Sequence, residues 1–165
     1  MKNFKLAAMA SVAALACTQP ALAGTSDTSL SVSAIVLDNC TIVALPLAFG
    51  AIADAGAADV DSTATLTLAC TPNASYQVGL DDGENATGSQ RRMANADSTE
   101  FLEYEIYSDT ARTTRWGNTL DSDTVAGTAN AVGVGTLTAY GRIESDAPAV
   151  SAGTYTDTVT VTVNF

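Results

Sequence analysis

The chain has no histidine. That removes imidazole acid–base chemistry and every nucleophile–histidine triad. Three nucleotide and hydrolase loops, G-x-S-x-G, G-x-x-x-x-G-K-[ST] and G-x-G-x-x-G, are absent as well, so no motif-bearing phosphate or acyl-transfer site is expected. Carboxylates do occur in pairs, Asp81/Asp82 and Glu103/Glu105. Neighbours on a turn, or next-but-one on a strand face, read as solvated acids rather than as an acid and a base. No catalytic residue, no cofactor and no enzyme activity is expected. Cations are nearly as scarce, with seven Lys and Arg against eighteen Asp and Glu. Only three cysteines occur, none in C-x-x-C spacing. Together with the missing histidine, this argues against a zinc site or a redox pair. Aromatics make up 6% of the chain.

One apolar run stands out, at the N-terminus. Lys2 and Lys5 precede the stretch Leu6 to Ala16, and Ala21-Leu22-Ala23 is an A-x-A cleavage signal. This is the layout of a secretory signal peptide over residues 1–23, too short to span a bilayer stably. Cleavage leaves 165 − 23 = 142 residues, the size of one domain. Both lysines leave with the signal, so the net charge becomes 5 − 18 = −13. Such a chain repels nucleic acid and anionic membrane, and neither DNA or RNA binding nor membrane insertion is expected. Cys17 also leaves, and Cys40 and Cys70 remain as an even pair for an oxidising compartment. A bridge between them closes a loop of about thirty residues and contributes roughly 3–4 kcal/mol on the chain-entropy model.

What is plentiful is Thr, Ser, Ala, Gly and Val, with no helical period sustained after the signal. That mixture predicts an all-β domain of short strands joined by Gly/Asn/Asp turns. Strands are expected over 30–37, 41–43, 63–70, 76–80, 101–107, 113–116, 135–142 and 156–165. Within 63–70, Ala64, Leu66, Leu68 and Cys70 share a face. Within 101–107, Leu102, Tyr104 and Ile106 oppose Glu103 and Glu105. The loop Asp81-Asp82-Gly83-Glu84-Asn85 gathers hard oxygens but lacks EF-hand spacing, and reads first as a plain turn. Arg91, Arg92, Arg112, Arg115 and Arg142 are expected to pair with surface acids, each worth under about 1 kcal/mol.

Both ends of the mature chain alternate with a period of two. At the N-terminus, Leu30, Val32, Ala34 and Val36 share a face. At the C-terminus, Asp157, Val159, Val161, Val163 and Phe165 do. Several stretches follow a known pattern in order: Val32 to Cys40 as V-x-A-x-V-L-x-x-C; Leu47-Ala48-Phe49-Gly50; Cys70-Thr71-Pro72 with Tyr76 to Gly83; Arg91-Arg92-Met93; Tyr104 to Arg112 leading to Trp116-Gly117; Tyr140 to Ile143; and Gly153 to Phe165. By these the chain resembles the spore coat protein U domain family, which includes subunits of archaic chaperone–usher pili.

The resemblance implies an immunoglobulin-like β-sandwich that is incomplete, its final strand missing. It implies a domain at 37–165 preceded by an N-terminal extension at 24–36. Leu30, Val32, Ala34 and Val36 would form the donor strand, and Val159, Val161, Val163 and Phe165 would belong to the C-terminal strand of the acceptor groove. The implied partners are a periplasmic pilus chaperone, an outer-membrane usher and identical or related pilin subunits. The implied route is export through the inner membrane, transit of the periplasm, and display on the cell surface in fibres for adhesion and biofilm. Three alternatives stay open at this point: a self-contained secreted module with ordinary first and last strands, a secreted spore-coat or matrix protein of the same fold, and a calcium- or carbohydrate-binding module.

Overall fold

A computed structural model describes residues 23–165. The signal-peptide expectation falls outside the described residues apart from Ala23. No helix occurs among the described residues. Contacts divide the chain into one unit ending at Ile35 and a second, Val36–Phe165. The second holds all eight strands: β1 (Cys40–Ala44), β2 (Val60–Cys70), β3 (Ser75–Leu80), β4 (Arg91–Ala94), β5 (Phe101–Tyr107), β6 (Val125–Thr128), β7 (Val134–Ile143) and β8 (Val161–Asn164). They form two antiparallel sheets, ordered β1-β2-β7-β5-β4 and β6-β3-β8.

Alternation explains the core. Ala64, Leu66 and Leu68 of β2 point inward and meet Val78 and Leu80 of β3 and Leu102, Tyr104 and Ile106 of β5. The intervening Thr63, Thr65 and Thr67 face outward beside Tyr140, Thr138 and Thr136 of β7. Trp116 is fully buried, and its Nε1–H donates to the Val78 carbonyl at 2.8 Å. Each large apolar side chain withdrawn from water contributes roughly 1.5–3 kcal/mol, so these few residues supply most of the cohesion of a domain poor in aromatics.

The longest alternating runs become strands close to the expected bounds, and β5 matches at both ends. Other expectations need correction. Residues 113–116 form no strand; only Arg115 bridges to Tyr107. The cause is local, because the Asp109 carboxylate accepts from the Thr113 and Thr114 N–H groups and Arg112 takes φ = 54°, which winds the segment into a turn. Two unexpected strands appear, β4 and β6. Residues 30–37 form no strand. Of 156–165, only Val161–Asn164 is laddered.

Both sheets end on an open edge along the same side of the sandwich. Among the described residues, β1 pairs only with β2, and β8 only with β3. The two edges approach within 8 Å between Cα atoms without a ladder between them. At the start of β1, Cys40 and Cys70 lie opposite one another and are joined as a disulfide. Replacing both by Ser is expected to cost about 3–4 kcal/mol of stability, read as a lower urea midpoint and a smaller folded yield from the periplasm. Unchanged values would mean the bridge constrains nothing that the β1–β2 ladder does not already hold.

Candidate functional site

Beyond β1 the chain runs on as an irregular segment through Leu47, Phe49 and Ile52. Ahead of β8 a second segment, bent at Ala152–Gly153, passes through Val150, Tyr155 and Val159. These segments part to open a cleft of about 820 Å³. Met93 of β4 and Leu102, Tyr104 and Ile106 of β5 form its floor. Gly141 of β7 supports one wall from beneath, since a Cβ there would lie 2.7 Å from Leu47 and 3.0 Å from Phe49.

The walls carry unused backbone. In an extended chain, successive N–H and C=O groups point to opposite edges. Thr156 bonds both ways with Ala94, Glu84 N–H donates to Thr158 O, and Asp81 N–H donates to Thr160 O. Those even-numbered residues face β4 and the 81–85 loop. Among the described residues, the main-chain groups of Asp157 and Val159 on the other edge have no partner. Opposite them, Leu45 N–H still reaches Thr65 O, and Ser62 Oγ donates to Ala48 O. Leu47 and Phe49 main-chain groups have none among the described residues. Two unpaired edges over an apolar floor are what an added β-strand needs: a ladder on each side and pockets for alternate side chains.

Polar contacts fix the walls. Tyr104 Oη donates to Asp157 at 2.6 Å, and the Asn85 N–H and Nδ2 donate to the same carboxylate at 3.1 and 3.0 Å. Burial pushes the Tyr104 phenol far above its ordinary value, and the bond to Asp157 adds to the rise, so it stays a neutral donor. Gly83, at φ = 85°, lies against Asp157 where a Cβ would clash. Asp81 accepts from the N–H groups of Gly83 and Thr160. Burial pushes its carboxyl up, but these bonds and the nearby Arg91 charge outweigh that and hold it below the usual range. Asp82 pairs with Arg115. Asp81, Asp82 and Asn85, in the loop expected to be a plain turn, are thus tied into the groove's frame.

Behind this loop stands a buried cation that the surface-pairing expectation missed. Arg91 is 0% exposed. Its Nε donates to Asp81 O at 2.9 Å, its Nη2 to Leu80 O and Trp116 O at 2.9 Å each, and its Nη1 pairs with Glu105. One guanidinium therefore links β3, β4, β5 and the Trp116 turn beside the cleft floor.

The expected site residues are not all together. Val159 lines the cleft, while Val161 and Val163 lie in β8 against the core. Phe165, 56% exposed and one residue past β8, borders a separate shallow hollow with Tyr76 and Leu120. Leu30 (87% exposed), Val32, Ala34 and Val36 sit in an exposed stretch that forms no strand. Of the floor residues, Leu102, Tyr104 and Ile106 were legible only as one face of a strand, and Met93 only as part of a family-like stretch.

Residues 26–162 match the family model of the Spore Coat Protein U domain. The chain belongs to that family. Protein U of Myxococcus xanthus is 33% identical over 178 aligned positions, which take in 97% of this chain and 96% of that protein. Among solved structures, the chain is similar to one from a chaperone–tip adhesion subunit pre-assembly complex (CsuC–CsuE) of the archaic chaperone–usher Csu pili of Acinetobacter baumannii. The TM-score is 0.55 with 31% identity, over 79% of this chain and 40% of that one. The chain thus spans well under half of the Csu chain it matches. The fold is the all-β, immunoglobulin-like sandwich that the spore coat protein U resemblance implied. The family match takes in the cleft, the Cys40–Cys70 pair and most of the exposed stretch before β1.

Proposed function

We propose that this protein is an exported structural subunit of a chaperone–usher pilus, polymerised head to tail by donor-strand exchange into surface fibres for adhesion and biofilm. The supporting observation is the cleft with its two unpaired edges, on a chain that also carries an unladdered apolar stretch. In this reading Leu30, Val32, Ala34 and Val36 of one subunit enter the cleft of the next. A periplasmic chaperone fills it beforehand, and an outer-membrane usher exchanges the two. Where β1 and β8 draw within 8 Å, the edges separate to admit a strand, because two ladder spacings need about 9.5 Å. The cleft between Phe49 and Val159 needs less change. Residues 24–36 then act as the extension and 37–165 as the sandwich.

A second reading, a secreted coat or matrix protein built on the same strand exchange, is favoured by the end-to-end likeness to Protein U. Chaperone and usher genes beside this one would select the pilus. The assembled protein, extracted in cold detergent and run unheated, is expected to give a ladder of high-mass species that collapses to a single band on boiling. A monomer without a ladder, whose melting temperature rises with calcium or sugar, would overturn both readings.

A further inference from the structure

A chain that carries both a groove and a strand to fill one can fill its own. The nearest way is a hairpin. Val36 and Cys40 are separated by Leu37-Asp38-Asn39, and three-residue loops with Asp or Asn are good hairpin turns. Residues 30–36 would then run back antiparallel along the free edge of β1. That product is a sealed monomer that can neither accept a strand nor donate one.

The structure holds those three residues in a different state. The Thr71 N–H donates to the Asn39 carbonyl at 2.8 Å. The Asn39 N–H donates to Thr71 Oγ1 at 3.1 Å, and Thr71 Oγ1 donates to the Leu37 carbonyl at 3.3 Å. These three bonds carry the β1–β2 pairing past the Cys40–Cys70 bridge, so 37–39 stay extended beside β2. A reversal within 37–39 turns the Leu37 carbonyl and both Asn39 groups away from Thr71 and breaks all three.

We propose that Thr71 is a positioning residue that blocks self-complementation, committing the 24–36 segment to a second copy of this chain. The proposal rests on the strand-exchange reading above. The disulfide fixes where the clamp sits, and the Thr71 hydroxyl supplies two of its three bonds. No charge or metal is involved, so the device works throughout export.

The test compares the wild-type chain with Thr71→Val and Thr71→Ser after refolding below micromolar concentration, with the disulfide intact. Lasting monomer is measured by size-exclusion chromatography, and the N-terminal segment is probed by limited proteolysis. Loss of two hydrogen bonds predicts about a tenfold rise in lasting monomer for T71V. Its N-terminal segment is protected from protease, whereas T71S behaves as wild type. A folded T71V that polymerises to the wild-type extent overturns the proposal, as does T71V monomer whose N-terminus is cleaved at the wild-type rate. If T71V does not fold, a Gly-Asn-Gly-Ser insertion between Val36 and Leu37 decides. It leaves the Thr71 contacts intact but gives the segment room to turn before them, and an unchanged monomer fraction overturns the proposal. If the wild-type polymer itself survives removal of residues 25–36, the strand-exchange reading fails and the clamp with it. If the polymer needs those residues and both variants behave as wild type, the clamp alone fails.

Discussion

Arg91→Met is expected to destabilise the folded subunit by about 3–5 kcal/mol, the range for breaking a buried ion pair by removing one partner. The thioether fills much of the volume but returns none of the hydrogen bonds. Glu105 keeps two partners, because Arg115 Nε and the Ile106 N–H each donate to it at 2.8 Å. The Leu80 and Trp116 carbonyls, at 2.9 Å from Nη2, lose a charged donor in a dry site. Against a total of roughly 5–15 kcal/mol for a domain, that loss takes much of the margin. With a urea slope of about 1–3 kcal/mol per molar, the midpoint falls by about 2 M. Trp116, the chain's one tryptophan, reports the change by fluorescence from beside the lost contact. Arg91→Lys keeps the charge but cannot reach Asp81, Leu80, Trp116 and Glu105 together, so it should recover less than half of the loss. A midpoint within about 0.5 M of wild type for R91M would mean the fork of contacts contributes little.

The same residue shows where sequence reading stops. Ala64, Leu66 and Leu68, and Leu102, Tyr104 and Ile106, announce their strands, because side-chain alternation is written into adjacent positions. Arg91-Arg92-Met93-Ala94 announces nothing. Its first side chain is inward because four acceptors far apart in sequence converge on it, and no local pattern encodes that. Val125–Thr128 is hidden for another reason. Its Gly127 lies against the Tyr76 ring, where a Cβ would come within 2.7 Å, so a residue typical of loops is here required by packing. Conversely, the strongest alternation in the chain, 156–165, yields only a four-residue ladder. Alternation shows that a segment can pair; whether it does depends on a partner being present.

That distinction also governs the cleft. Leu47 and Phe49 stood within a family-like stretch, and Val159 within an alternating one, so the walls were half legible. On the floor, Leu102, Tyr104 and Ile106 were legible only as one face of a strand, and the inward turn of Met93 was not legible. The unpaired main-chain groups of Asp157 and Val159 had no signature at all, since hydrogen-bond demand depends on what lies alongside.

Removing residues 25–36 is expected to abolish the detergent-resistant ladder while leaving a folded, chaperone-dependent subunit. Leu30, Val32 and Val36 each contribute roughly 1.5–3 kcal/mol if buried in a neighbour's cleft, and Ala34 less. Each ladder bond adds about 0.5–1.5 kcal/mol. A sum of that size makes the joint open very slowly, so its persistence is kinetic. Point substitutions separate the segment's faces. Leu30→Asp with Val32→Asp removes about 3–6 kcal/mol of burial, or roughly 10²–10⁴ in the joint's equilibrium, before the cost of placing charge on an apolar floor. Ser31→Asp and Ser33→Asp change the opposite face and should leave the ladder nearly intact. Ile35 is the discriminating position, because it is apolar, 88% exposed, and lies on the serine face. If Leu30, Val32, Ala34 and Val36 face inward, Ile35→Asp is tolerated. If I35D dissolves the ladder and L30D/V32D does not, the strand enters with the other face down and the assignment of donor residues is reversed. If every variant, the deletion included, keeps the ladder, the cleft is filled by something other than this segment.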